Sequence, residues 1–143
     1  MAAILTPYVN FKDTARQALE FYREVFGGEI QALRFGDFGA SDDPAEADKL
    51  MHGQLDTPSG FTLMMADTPN RMEWNPARSF SISLSGDMSD YDELTGYWEK
   101  LSASATMITM PFGQAPWGAH FGMCIDRFGL PWIVNIQAGQ PAA

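Results

Sequence analysis

The chain is poor in thiols, in basic residues and in long apolar runs. It has one cysteine, Cys124, so no intrachain disulfide can form and no zinc site of paired cysteines can be built. Flanked by Met123 and Ile125, that thiol reads as a small buried apolar group rather than a nucleophile. Lysine and arginine number 9 against 18 acidic residues, a formal charge of -9. Nucleic-acid affinity depends on clustered cations displacing counterions, so DNA and RNA are poor partners. The acidity reads first as a solubility feature and only second as a surface for a cationic ligand. No apolar run approaches the roughly 20 residues of a membrane span. The opening "MAAILTPYVNF" has neither a basic lead nor an apolar stretch of signal-peptide length, and the expectation is a cytoplasmic protein that does not engage a membrane.

What is present is a fold-forming sequence. Its 143 residues, 45% hydrophobic and 13% aromatic, are too apolar for a disordered chain and suit one compact domain. "PYVNF" alternates on Pro7, Val9 and Phe11 and predicts a strand. A helix follows, with Thr14 and Gln17 at capping-box spacing. Its stripe of Ala15, Ala18, Phe21, Tyr22 and Val25 recurs at steps of three and four, and Gly27-Gly28 offers a left-handed exit. Next come the strand-like "EIQALRFGDF", a polar loop "GASDDPAEADK" that reads as mobile, and "LMHGQLDT" joined to "FTLMMAD" by "PSG" as a hairpin.

The second half repeats that order. "SFSISLSG" alternates on Phe80, Ile82 and Leu84. Ser89 is placed to cap a helix carrying Tyr91, Leu94, Trp98 and Leu101 on one stripe. "TMITMPFG", a loop, and "AHFGMCID" joined to "LPWIVNI" by "RFG" complete it. The helices superpose with a shift of 76 residues and the hairpins with one of about 70. A four-stranded unit with one helix covers only one face of its sheet, so two units are expected to pair around a trough. The expectation is an α+β fold of two βαβββ modules, about 4–68 and 78–137 within a single domain spanning 1–143. They would form a cupped, mostly antiparallel eight-stranded sheet.

These twin modules, with "ALEFYREVFGGEI", "MHGQL" and "MPFGQAPWGAHFGMCIDRFGLPWIVN", resemble the PhnB-like branch of the vicinal oxygen chelate superfamily. That is the fold group of glyoxalase I, the bleomycin-resistance proteins and the extradiol dioxygenases. The resemblance runs from about Leu5 to Ile136. It implies the glyoxalase/bleomycin-resistance fold, commonly a homodimer, with a small-molecule ligand in the cup. In metal-using members two His or Gln and two Glu from the first and last strands of the modules hold a divalent ion that polarises the substrate's neighbouring oxygens. Carried onto this chain, those positions fall on Pro7, Met64, Ser81 and Ile133. Their neighbours are Thr6, Tyr8, Leu63, Met65, Phe80, Ile82, Trp132 and Val134, and no His, Asp, Glu or Cys stands among them. The expectation is therefore no metal cofactor; the alternative is a divalent-metal lyase, isomerase or dioxygenase drawing on His52 with Asp56, Glu29 or Asp67.

Chemistry without a metal falls to side chains. Strand periodicity puts His52, Gln54 and Asp56 on one face, with Leu50 on it too and Met51, Gly53 and Leu55 on the other. His52 is the candidate catalytic residue, its ordinary pKa near 6.5 suiting proton transfer. Gln54 is a candidate ligand contact. His120 reads as half exposed at a loop-strand junction. Between Trp117 and Asn135 the chain packs three glycines, two tryptophans and two phenylalanines into nineteen residues. This reads as a hairpin first and as a pocket wall of Trp117, Phe121 and Trp132 second. Names in this branch mention demethylubiquinone methyl transfer. S-adenosylmethionine sites usually need a glycine-rich turn after a parallel strand, and the chain's Gly-Gly pair ends a helix instead.

Overall fold

The computed structural model describes residues 3–76 and 79–138. The chain divides into two compact units, Met1–Pro76 and Ala77–Ala143. In the first, β1 (Tyr8–Phe11) leads to α1 (Ala15–Phe26), β2 (Glu29–Arg34), β3 (Leu50–Asp56) and β4 (Thr62–Asp67). In the second, β5 (Ile82–Gly86) leads to α2 (Tyr91–Ala103), β6 (Met107–Gln114), β7 (His120–Ile125) and β8 (Pro131–Ile136). The eight strands form two four-stranded sheets, ordered β1-β4-β3-β2 and β5-β8-β7-β6. Each has one parallel pair, β1 with β4 and β5 with β8, and otherwise antiparallel pairs. The architecture is α+β and built twice, as the sequence pattern predicts.

The helices form because each presents one apolar stripe. In α1 the buried set is Ala15, Ala18, Leu19, Tyr22, Val25 and Phe26, and in α2 it is Leu94, Tyr97, Trp98 and Leu101. Each large buried side chain contributes about 1.5–3 kcal/mol relative to exposure. The two hairpins turn alike: Thr57 N donates to Phe61 O and Asp126 N to Leu130 O, each around a positive-φ glycine, Gly60 and Gly129. Gly53 and Gly122, paired to Met65 and Val134, are equivalent positions under the helices. A Cβ on Gly53 would stand 3.0 Å from Leu19, and one on Gly122 3.0 Å from the Trp98 ring. Only glycine lets the helix settle that close.

Three local expectations give way. Thr14 makes no side-chain cap bond; the carboxylate of Asp67, at the end of β4, accepts instead from Ala15 N at 3.0 Å, and its other oxygen from Leu50 N at 3.0 Å. Ser89 does not cap α2. Its own N-H donates to Asp87 Oδ1, and Asp87 starts a short 3-10 turn, Met88–Asp90, that runs into the helix. The acidic loop is tied down: Asp43 caps a turn at Pro44–Glu46, and the buried Glu46 accepts from Ser41 Oγ and Asn70 N.

Candidate functional site

Each sheet has one face under its helix and one face open. In β3 the alternation places Gly53 and Leu55 beneath α1 and His52, Gln54 and Asp56 on the open side, the latter three only partly buried. Leu50 is the exception. Between Leu33 and Arg34 the β2–β3 pairing slips, so that Leu33 faces His52 and Arg34 faces Leu50. This bulge inserts Met51 and turns Leu50, fully buried, to the helix side beside Gly53.

The open face of the first unit carries two separate hydrogen-bonded groups. Gln54 Nε2 donates to both oxygens of Asp56 at 3.1 and 3.0 Å, and Thr62 Oγ1 donates to Asp56 Oδ1 at 2.9 Å. Tyr8 Oη lies 3.4 Å from His52 Nδ1, the rings tilted with centroids 5.8 Å apart. Partial burial pushes the Tyr8 phenol above its ordinary pKa, so it stays protonated and can donate to Nδ1. At 3.4 Å this contact is long, and a ligand can outcompete it.

In the second unit the open face carries Ser83 and Ser85, whose hydroxyls lie 3.1 Å apart, with Phe121, Met123 and Ile133 partly buried. Phe121 meets Trp117 edge to face at 6.3 Å between centroids. Trp117 is 69% exposed beside the left-handed Gly118. Trp132 departs from the sequence reading. It is 1% exposed, on the helix side of β8 with Val134 and Ile136, and its indole N-H donates to the buried Asp126 at 2.8 Å. It is core rather than wall. His120 also lies on the helix side, edge to face with Tyr91 at 5.4 Å and near Phe112 at 6.4 Å, its Nδ1 buried without a partner among the described residues. Cys124 is buried, and burial first and Asp126 second push its thiol up to about 11.

The superfamily's metal positions can now be read from strand register. Met64 pairs with Tyr8, and Ile133 with Ser83. The open-face positions are thus Tyr8 and Ser83, where counting along the sequence reaches Pro7 and Ser81. A phenol, a hydroxyl, a thioether and an isoleucine do not fit a divalent ion. Nor do the alternative donors converge. Asp67 points beneath α1 with both oxygens engaged. Asp56 is four residues from His52 along one strand, roughly 13 Å at about 3.3 Å per residue. No group of three or more His, Cys, Asp or Glu side chains able to hold a metal occurs among the described residues.

The family model described as 3-demethylubiquinone-9 3-methyltransferase matches residues 3–135. The chain belongs to that family. It is thereby placed in the PhnB-like branch of the vicinal oxygen chelate superfamily. Protein YjdN of Escherichia coli K12 is 26% identical, covering 96% of this chain and 97% of its own length. Among solved structures, protein PA1353 from Pseudomonas aeruginosa is 34% identical with a TM-score of 0.79, covering 96% of this chain and 99% of that one. A putative 3-demethylubiquinone-9 3-methyltransferase, PhnB protein, from Bacillus cereus is 22% identical with a TM-score of 0.71, covering 94% and 100%. A fosfomycin resistance protein from Listeria monocytogenes, 11% identical with a TM-score of 0.59, shares the fold over 96% of this chain and 94% of its own. No helix among the described residues is long and apolar enough to cross a membrane.

Proposed function

We propose that this PhnB-like protein binds a small organic molecule on the open face of its first unit, without the superfamily's metal. The observation that carries the reading is a polar face bearing two hydrogen-bonded pairs, Tyr8 with His52 and Gln54 with Asp56, where the metal-donor positions hold Tyr8 and Met64. His52 would hydrogen-bond the ligand and, where turnover occurs, move its proton as general acid or base. Gln54, oriented by Asp56, would be a fixed hydrogen-bonding contact. Taken by itself, the second unit offers Trp117 and Phe121, which meet edge to face, as a separate aromatic contact for a flat or apolar ligand.

The description of the family names methyl transfer. Gly27 and Gly28, the chain's Gly-Gly pair, close α1 and precede β2 with positive φ, which supports a helix exit rather than a cofactor turn. An exposed apolar row on β6, with Met107 57%, Ile108 43% and Met110 48% exposed, supports homodimerisation, which light scattering of the purified protein checks. The binding reading is tested by thermal shift with a panel of small organic acids, quinones, thiols and divalent metals on wild type and His52→Ala. A compound that raises the Tm of wild type and not of the variant supports it. Stabilisation by a divalent ion, or by S-adenosylmethionine, counts against it.

A further inference from the structure

A cavity of about 410 Å³ lies where β4 runs into the segment 68–75. Phe35, Met51, Met72 and Trp74 give it apolar walls, and Arg71 and Glu73 bring opposite charges to the same space. Trp74 is held in place by its indole N-H, which donates to Asn10 O at 2.9 Å. The volume lies within the roughly 300–1,000 Å³ typical of small-molecule sites. Arg71 and Glu73 are two residues apart and line one cavity, yet they form no ion pair with each other. Neither has a hydrogen-bond or charge partner among the described residues. Arg34 holds Asp37 and Asp48, Lys49 holds Asp13, and Lys12 holds Asn70 and a carbonyl; Arg16, Arg23 and Lys100 share with Arg71 the lack of such a partner among the described residues, but none of those three lines this cavity.

We propose that this cavity binds a small zwitterion with an apolar body, of the amino-acid type, its carboxylate on Arg71 and its ammonium on Glu73. An organic anion alone would meet the Glu73 carboxylate, and an organic cation alone would meet the guanidinium. A molecule carrying both charges satisfies both, while its side chain replaces water against Trp74 and the two methionines. Arg71 offers the planar two-point fork that suits a carboxylate. None of Tyr8, His52, Gln54 and Asp56 lines this cavity, so the proposal goes beyond the open-face reading.

Isothermal titration of the full chain with phenylalanine, 2-phenylethylamine and 3-phenylpropionate tests it, since the two analogues each lack one of the charges. Phenylalanine should bind saturably, and each analogue about tenfold or more weakly. Arg71→Gln should abolish the preference over 2-phenylethylamine and keep that over 3-phenylpropionate, and Glu73→Gln should do the reverse. Both side chains are exposed, so the variants should keep the wild-type Tm. His52→Ala should bind phenylalanine as wild type does, which separates failure here from failure of the open-face proposal. Three outcomes would overturn it: no saturable binding of phenylalanine up to about 10 mM, equal affinity for all three probes, or loss of phenylalanine binding in His52→Ala.

Discussion

Replacing Asp67 tests how the first unit holds its helix on its sheet. The side chain is 5% exposed and accepts two backbone hydrogen bonds, from Ala15 at the start of α1 and from Leu50 at the bulge in β3. Both donors belong to residues with no exposed surface. Asp67→Ala leaves those two N-H groups buried and unpaired, each at a cost of about 1–3 kcal/mol. The summed loss of about 2–6 kcal/mol is a large part of the roughly 5–15 kcal/mol that keeps a domain folded. Asp67→Asn keeps one acceptor oxygen and should lose about half as much. Thr14→Ala, although it removes the residue that the sequence marks as the cap, deletes no side-chain bond and should change stability by less than about 0.5 kcal/mol. Urea unfolding followed by tryptophan fluorescence and far-UV circular dichroism measures all three. A loss below about 1 kcal/mol for Asp67→Ala, or an equal loss for Thr14→Ala, would refute the assignment of the cap to β4.

Other outcomes follow from the second unit. The Cys124 thiol keeps its proton up to about pH 11, against an ordinary value of 9.0. The unfolded chain therefore releases a proton between those values that the native state retains, and stability should fall as pH rises through that window, by roughly 2–3 kcal/mol at most. Cys124→Ala should flatten that fall in urea titrations at pH 8, 9.5 and 11; identical slopes would contradict it. Gly122→Ala pushes a methyl to 3.0 Å from the Trp98 ring and 3.1 Å from Phe112 Cα. It should cost about 1–3 kcal/mol, whereas Gly96→Ala, where a Cβ meets nothing within 4 Å, should be neutral or stabilising. Trp132→Phe removes the indole donor to the buried Asp126 and should cost about 1–3 kcal/mol without altering the binding of any ligand to the open face.

Much of this fold is legible in the sequence because its elements are amphipathic and occur twice. The helices, the paired hairpins and the glycine exit of α1 follow from local pattern, though the buried stripes take in Leu19, Phe26 and Tyr97 and leave Phe21 and Tyr91 only partly buried. The polar face of His52, Gln54 and Asp56 was legible for the same reason, since strict alternation within one strand fixes a face. What was hidden depends on partners far along the chain. Asp67 caps a helix that lies 52 residues earlier, and a nearby threonine with the right spacing masks it. The bulge at Met51 comes from pairing with β2, so alternation puts Leu50 on the wrong face. "LPWIVNI" is apolar in both phases, so periodicity could not tell whether Trp132 or Ile133 faces the helix. The cavity beside Trp74 is walled largely by irregular backbone after β4, where no period exists to read.

The most direct measurement is the metal content of the purified protein, by mass spectrometry before and after dialysis against chelator, with Tm recorded in parallel. The account predicts far less than one divalent ion per chain and the same Tm in both samples. One tightly held ion per chain, whose removal lowers the Tm and which His52→Ala fails to retain, would contradict it.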